Sequence, residues 1–428
     1  MSAALVRTIL AACFGWLFSA VDIVLLILFQ RPVADSLGVD VQTIRVAIGV
    51  GLLGSAVGGI VLAQLGDKVG RVRALGWCVI LYSVATAGMG LARNAEELMA
   101  WRFLSGIGTG AEWSIGFALI AEVHGAGGTG AKGRGRLGGL VAGMFNLGTF
   151  IAIVLFQSQL GWRLAFGVMV VPALLVLWVR LRVPESPVWT ALQQARASGA
   201  VDAQLEAQFR QVPLRVLLRG RMLWLTLKTT LLFVLMNLSF YAFSTVFINY
   251  LQDDVAHGGL GLDAQAQFPY QMALNLGALV SVVAAGFASD RFGRRTTFAG
   301  FCLVGAAGSA WLYLFTRGAS GASPQLILIF TVVVLGYGIN GVIGTLLAEL
   351  FPTHLRSAGP GVCQNLGKGI GGMAGPPLAG ALVKVLGYPV VLALPGVIVL
   401  ALAGLIWLLP RVSGRELRPV EDEGYLAS

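Results

Sequence analysis

Three charged side chains fall where a chain this apolar should carry none. Asp22, Glu112 and Lys368 each lie deep inside a long hydrophobic run. An ionised group near the centre of a bilayer costs at least about 2.5–3.5 kcal/mol on insertion scales, so each needs a chemical reason to be there. Asp22 stands roughly 21 Å along the first run at the helical rise per residue, and its chain neighbours Phe18, Val21, Ile23, Val24, Leu25 and Leu26 offer no partner. A carboxylate so placed pairs with another helix, faces a wet cavity or holds a proton. The last two states interchange when a cavity alternates between sides, which couples a carboxylate to proton movement; a structural hydrogen bond is the alternative. The same physics applies to Glu112, and two such acids in one half suggest coupled titration. Arg102 is ten residues from Glu112, roughly 15 Å along a helix and too far to pair with it directly. It snorkels toward the outer face, pairs with an acid on another helix, or meets a substrate.

Lys368 is flanked by Gly367 and Gly369, with Gln364 and Asn365 one turn behind on the same face. A buried ammonium with three donors needs an anion, either Asp22 or Glu112 or a substrate carboxylate. Asn237 and Tyr241, spaced i,i+4, together with Asn275, Tyr337, Asn340 and Asn146, either complete a pocket around it or serve as hydrogen-bonding glue between helices.

These residues require a membrane scaffold. Hydrophobic residues make up 57% of 428 and charged residues 12%, against about 25% charged in soluble domains. A span needs roughly 20 mostly apolar residues. Twelve runs qualify, near 8–30, 44–65, 74–92, 97–122, 136–158 and 163–182, then 222–251, 267–289, 296–317, 325–350, 357–384 and 388–410. The first run is long for a signal-peptide core and no small-residue cleavage pattern follows it, so it reads as a retained helix. The expected fold is an all-α membrane protein of two pseudo-symmetric six-helix bundles. Its parts are 1–182, a polar cytoplasmic linker 183–221 opened by Pro184 and Pro187, a second bundle 222–410 and a tail 411–428.

The net charge of +10 is an orientation signal. With alternating spans and a cytoplasmic N-terminus, twenty-two Lys and Arg residues fall inside and seven outside, as the positive-inside rule expects. Both termini are then cytoplasmic, and the basic excess is no nucleic-acid footprint. Cys13, Cys78, Cys302 and Cys363 all lie within spans and read as packing residues, with neither disulfide nor metal expected. His124, His257 and His354 show no metal spacing.

A short signature occurs after the second span of each half: Gly66-Asp67-Lys68-Val69-Gly70-Arg71, and Ser289-Asp290-Arg291-Phe292-Gly293-Arg294-Arg295. Each half also ends its fourth span on an acid, Glu122 and Glu349, with basic residues downstream that include Arg356. Asp67 can cap a helix while Arg71 and Arg73 pair with Glu122; the copy uses Asp290, Arg294 or Arg295, and Glu349. Surface pairs of this kind are worth only about 0–1 kcal/mol each, which suits a latch that opens in every cycle. Corresponding elements in two halves mark a repeat-built transporter.

The paired loops, the Arg102–Trp113 stretch and the Pro184–Trp189 stretch resemble the major facilitator superfamily over essentially the whole chain. Within it, the segments around Asp22, Glu112 and Lys368 are similar to the bacterial proton symporters for organic acids, the sialic-acid/monocarboxylate and metabolite groups. The sugar-porter group shares several of these signals. The first helix of the organic-acid symporters normally carries two aspartates; here Ser19 stands at the first position and Asp22 remains. The eleventh helix often carries Arg where this chain has Lys368. The resemblance implies that the loop motifs stabilise an outward-facing state.

The expected activity is proton-coupled symport of a small organic anion, a monocarboxylate, sugar acid or aromatic acid, by a monomer in the bacterial inner membrane. The alternative is a sugar or polyol symporter or facilitator. Drug efflux is disfavoured by aromatics at only 9%, and a scaffold leaves the paired loops unexplained. An enzyme is not expected, since no nucleophile–His–acid set, metal spacing or phosphate-cradling loop occurs, and no cofactor is required.

Overall fold

The computed structural model describes residues 3–126, 133–158, 160–171, 213–318, 322–352 and 358–411, with Leu174, Val183, Glu185, Trp189, Thr190, Gln193, Gln194, Ser198 and Leu355. Within the helices, some side chains, including those of Asp67, Lys68 and Glu122, lie outside the described part, as does Arg356 altogether. Among the described residues every regular element is helical. In hydrocarbon each backbone N–H and C=O must be satisfied within the chain, and a helix does this within a single segment.

The first half contains α1 (Ala3–Leu28), a short α2 (Gln30–Leu37), α3 (Val41–Val69), α4 (Arg71–Met89), α5 (Ala95–Ala126), α6 (Arg134–Gln157) and the start of a further helix, α7 (Trp162–Gly167). The second contains α8 (Gly220–Gln252), α9 (Ala264–Phe292), α10 (Arg294–Gly318), α11 (Pro324–Leu335), α12 (Asn340–Leu350), α13 (Ala358–Gly367) and α14 (Met373–Leu405). Local signals set several starts. The Asp40 side chain accepts from Gln42 N–H at 2.5 Å ahead of α3, Asp263 accepts from Ala266 N–H at 2.7 Å ahead of α9, and Ser323 followed by Pro324 opens α11.

Among the described residues, nine segments are long and apolar enough to cross a bilayer. The fourth expected run lies in α5, and the sixth is described only in its first part. The expected runs 357–384 and 388–410 are parted at Gly387, where the helical path breaks with a φ of 74° that is open mainly to glycine. The expected run 325–350 is interrupted by a tighter 3₁₀ turn at Gly336–Ile339, between α11 and α12. The α2 helix falls in a stretch that reads as a connection in the sequence.

Small residues let helices touch. Gly54 and Gly58 of α3 meet the backbone of Phe103 and Ile107, while Gly106 and Gly110 of α5 meet that of Gly51 and Ser55. With lipid as apolar as the side chains, such close backbone approach is what holds a helix pair together. The halves meet in the same manner, where Gly139 of α6 lies on Gly286 of α9. A buried apolar cluster that includes Val141, Phe233, Val282 and Leu346 spans that seam.

Candidate functional site

Along α5, Arg102, Ser105, Thr109 and Glu112 follow i, i+3, i+7 and i+10, a polar stripe on one face of an apolar helix. On α1, Gly15, Ser19 and Asp22 form the facing stripe. The two stripes meet at two levels.

At the first level Asp22 and Arg102 form an ion pair at 3.1 Å, with both side chains at least 98% buried. Arg102 also donates to the Asp22 backbone carbonyl at 3.1 Å, Ser105 Oγ donates to the carboxylate at 3.0 Å, and Thr86 of α4 hydrogen-bonds it as well. Of the three sequence readings for Arg102, the structure therefore selects pairing with an acid on another helix. The Asp22 carboxylate is fully engaged.

The second level is different. Glu112 is buried, and among the described residues neither of its oxygens has a hydrogen-bond partner. Its carboxylate occupies the space that a side chain at position 15 would fill, so Gly15 makes its pocket. Lys368 lies at the start of a wide π-turn, Lys368–Gly372, and its Nζ stands 5.8 Å from the centroid of the Trp16 ring. Among the described residues no carboxylate lies within 4.0 Å of this ammonium. The consecutive residues Gly15 and Trp16 thus receive an acid from α5 and a cation from the end of α13, one from each half.

The remaining candidates divide. Asn365 is fully buried and accepts from Ser55 Oγ at 3.0 Å while donating to the Gly110 and Gly361 carbonyls at 2.8 Å each. It pins α13 to α3 and α5, and its amide is used up in doing so. An Asn365→Ala variant leaves Ser55 and Gly110 without their partner; we expect it to lose about 1–3 kcal/mol of stability. Thermal unfolding in detergent checks this, and an unchanged midpoint rules the pin out. Gln364 Oε1 is buried without a hydrogen-bond partner among the described residues. Asn275 donates to the Asn146 carbonyl at 2.9 Å across the halves, and Asn237 to its own helix at Phe233. The Tyr337 hydroxyl donates to the Ser239 carbonyl at 3.1 Å, its ring edge-on to Phe240, which in turn meets Tyr241. Asn340 is exposed although the next ten residues of α12 are buried, and its side-chain amide donates to the Tyr337 carbonyl at 3.0 Å.

At the seam's end, Glu349 binds Arg294 at 3.0 Å and Arg134 of the other half at 4.0 Å. Arg294 also holds Asp290 at 2.9 Å, and Asp290 accepts the amides of Gly135 and Arg136 at 2.9 and 3.0 Å. An anion on the first turn of α6 is stabilised by the aligned peptide dipoles. The expected grouping of Asp290, Arg294 and Glu349 is therefore present. In the first-half copy, Arg71 is buried, while Asp67 and Glu122 lie outside the described side chains.

Sequence reasoning passed over Thr86, Ser105, Trp16 and Glu185. The polar spacing along α5 points to Ser105. Glu185, which accepts from Val72 N–H at 3.0 Å and so caps α4, carries no local signal, because its partner lies over a hundred residues away.

Residues 34–423 match the family model described as "Sugar (and other) transporter". A protein named "Probable 4-methylmuconolactone transporter" from Cupriavidus pinatubonensis is 28% identical over 370 residues, 84% of this chain and 80% of its own length. The niacin transporter NiaP of Acinetobacter baylyi is 26% identical over 393 residues, 85% of this chain and 83% of its own. Among solved structures, the proton:xylose symporter XylE of the major facilitator superfamily superposes with a TM-score of 0.79 at 18% identity, over 97% of this chain and 98% of its own.

Proposed function

Because this chain belongs to the sugar (and other) transporter family of the major facilitator superfamily, we propose that it carries a small organic acid across the membrane together with a proton. The chain is a multi-pass transporter and not an enzyme. In this proposal twelve spans form two six-helix bundles, 1–182 and 222–410, joined by the linker 183–221 and followed by the tail 411–428. The protein works as a monomer in a bacterial inner membrane, with both termini cytoplasmic. Contacts between the halves at the latch end and at mid-depth support an outward-facing state, and Asp290, Arg294 and Glu349 serve as the latch.

One observation carries the anion reading: among the described residues no carboxylate contacts the buried Lys368, while Arg102 already has one. The site therefore holds one closed charge pair and one open cation. A substrate carboxylate neutralises Lys368, and Glu112, with two acceptor oxygens and no donor, takes the proton. Asp22 senses the same cycle through Arg102. Once both charges are cancelled, the halves rock without dragging a bare ion through the bilayer. The relatives named for a lactone acid and for niacin support a carboxylate substrate.

The test uses liposomes containing the protein and a pH dye, with carboxylates and neutral sugars added one at a time. Empty liposomes set the baseline, because weak acids cross bare lipid. We expect protein-dependent internal acidification with carboxylates. In Lys368→Met the half-saturating concentration should rise about ten- to hundredfold, the worth of a hydrogen bond to a charged group. Glu112→Gln should bind acid but lose the pH signal. Uptake of labelled neutral sugar with no acidification by any acid overturns the proposal.

A further inference from the structure

Trp16 takes no part in the scheme above, yet its position is unusual for a membrane tryptophan. Val6, Leu10 and Phe14 form an exposed i, i+4, i+8 stripe along α1. Trp16 follows Phe14 by two residues, roughly 200° around the helix, and so points inward. Its ring is only half-buried, packs on Phe145 at 5.4 Å between centroids, and belongs to the apolar cluster that spans both halves. Partly buried Cys13 and Ile60 line the same region. Above the ring stands the ammonium of Lys368, at 5.8 Å.

A cation–π contact of this kind is modest, about 0.5–2 kcal/mol, and a ligand carboxylate replaces it with a full ionic partner. A ligand held there by its carboxylate can lay its body beside the indole face. We propose that Trp16 and Lys368 form one two-part subsite that selects flat, conjugated carboxylates over polyhydroxylated ones. Lys368 holds the carboxylate and Trp16 reads what is attached to it. A ring bonded directly to a carboxylate on Nζ can reach the 4.5–7 Å centroid range in which aromatic rings attract. The hydroxyls of a sugar acid in the same place would face Trp16, Phe145 and Ile60, which offer few hydrogen-bond partners, and each unpaired hydroxyl is penalised. This specificity rests on the anion reading proposed above.

The experiment compares benzoate with glucuronate, two monocarboxylates of equal charge. Binding is measured by calorimetry on the purified full-length protein in detergent, without reliance on proton movement. Wild type should bind benzoate at least tenfold tighter than glucuronate. Trp16→Leu should weaken benzoate about five- to thirtyfold with glucuronate unchanged, and Trp16→Phe should retain most of the preference. Should Trp16→Leu misfold, the graded response of Trp16→Phe, with a two- to threefold loss confined to benzoate, carries the same test. An unaltered benzoate-to-glucuronate ratio in both variants, with both ligands still lost in Lys368→Met, overturns the role of Trp16 and leaves the anion reading standing. Failure of wild type to bind either acid overturns both.

Discussion

Replacing Arg102 with Met is expected to cost about 3–5 kcal/mol of stability, the penalty for leaving one member of a buried ion pair without the other. Asp22 keeps its bonds from Ser105 and Thr86 in that variant, but two hydroxyls do not neutralise a carboxylate that is 1% exposed. The double variant Asp22→Asn/Arg102→Met removes both charges and retains the hydroxyl contacts. It should recover most of the lost stability, because a buried pair replaced by neutral groups of similar volume is often no worse. Transport should be absent in both. Thermal unfolding in detergent separates the two effects. If the single variant proves as stable as wild type, water reaches the pair and its burial in this conformation is not maintained in solution.

The second large effect is expected at the seam. Glu349 is the only acid contacting both Arg134 and Arg294 among the described residues, and Glu349→Gln leaves two buried guanidinium groups facing one another. Part of the cost falls on the contact between halves, since Arg134 starts α6 and Glu349 ends α12. A loss of 3 kcal/mol in the latched state corresponds to a shift of roughly a hundredfold in the ratio of latched to open populations. Asp290 on the amides of Gly135 and Arg136 is untouched, so the seam should loosen without dissociating. Spin labels at Leu140 and Phe292, both exposed, report the distance between α6 and α9 at that end. In a background lacking the four native cysteines, wild type should give one short distance and Glu349→Gln a second, longer one. A single unchanged distance would falsify the latch.

The sequence made some parts of this site visible and concealed others for definable reasons. Asp22, Glu112 and Lys368 stand out because ionisable groups in apolar runs are expensive whatever their neighbours. Gly54, Gly58, Gly106 and Gly110 stand at i,i+4 spacing, and those four residues mesh with one another's helices. What stayed hidden was pairing. Nothing along the chain says that Arg102 reaches Asp22, eighty residues away, or that Asn365 spends its amide on Ser55 and Gly110. Asn365 therefore looked like a ligand contact when read alone. Trp16 was passed over for the opposite reason, since an indole in an apolar run raises no electrostatic alarm. The break at Gly387 fell in the gap between two expected spans, whereas the 3₁₀ turn at Gly336–Ile339 was masked by continuous hydrophobicity on both sides.

The wide turn that begins at Lys368 divides its span into two cylinders out of phase. Gln364, Asn365 and Lys368 share the angular register of α13, while the residues from Met373 onward are offset by one extra residue, roughly 100° of azimuth. The first cylinder is keyed to the opposite half through Asn365 and to α8 through Gly367, and the second to α8 through Gly375. The extra residue in the turn thus lets the side chains before it face the opposite half while those after it keep a different azimuth against the same neighbour.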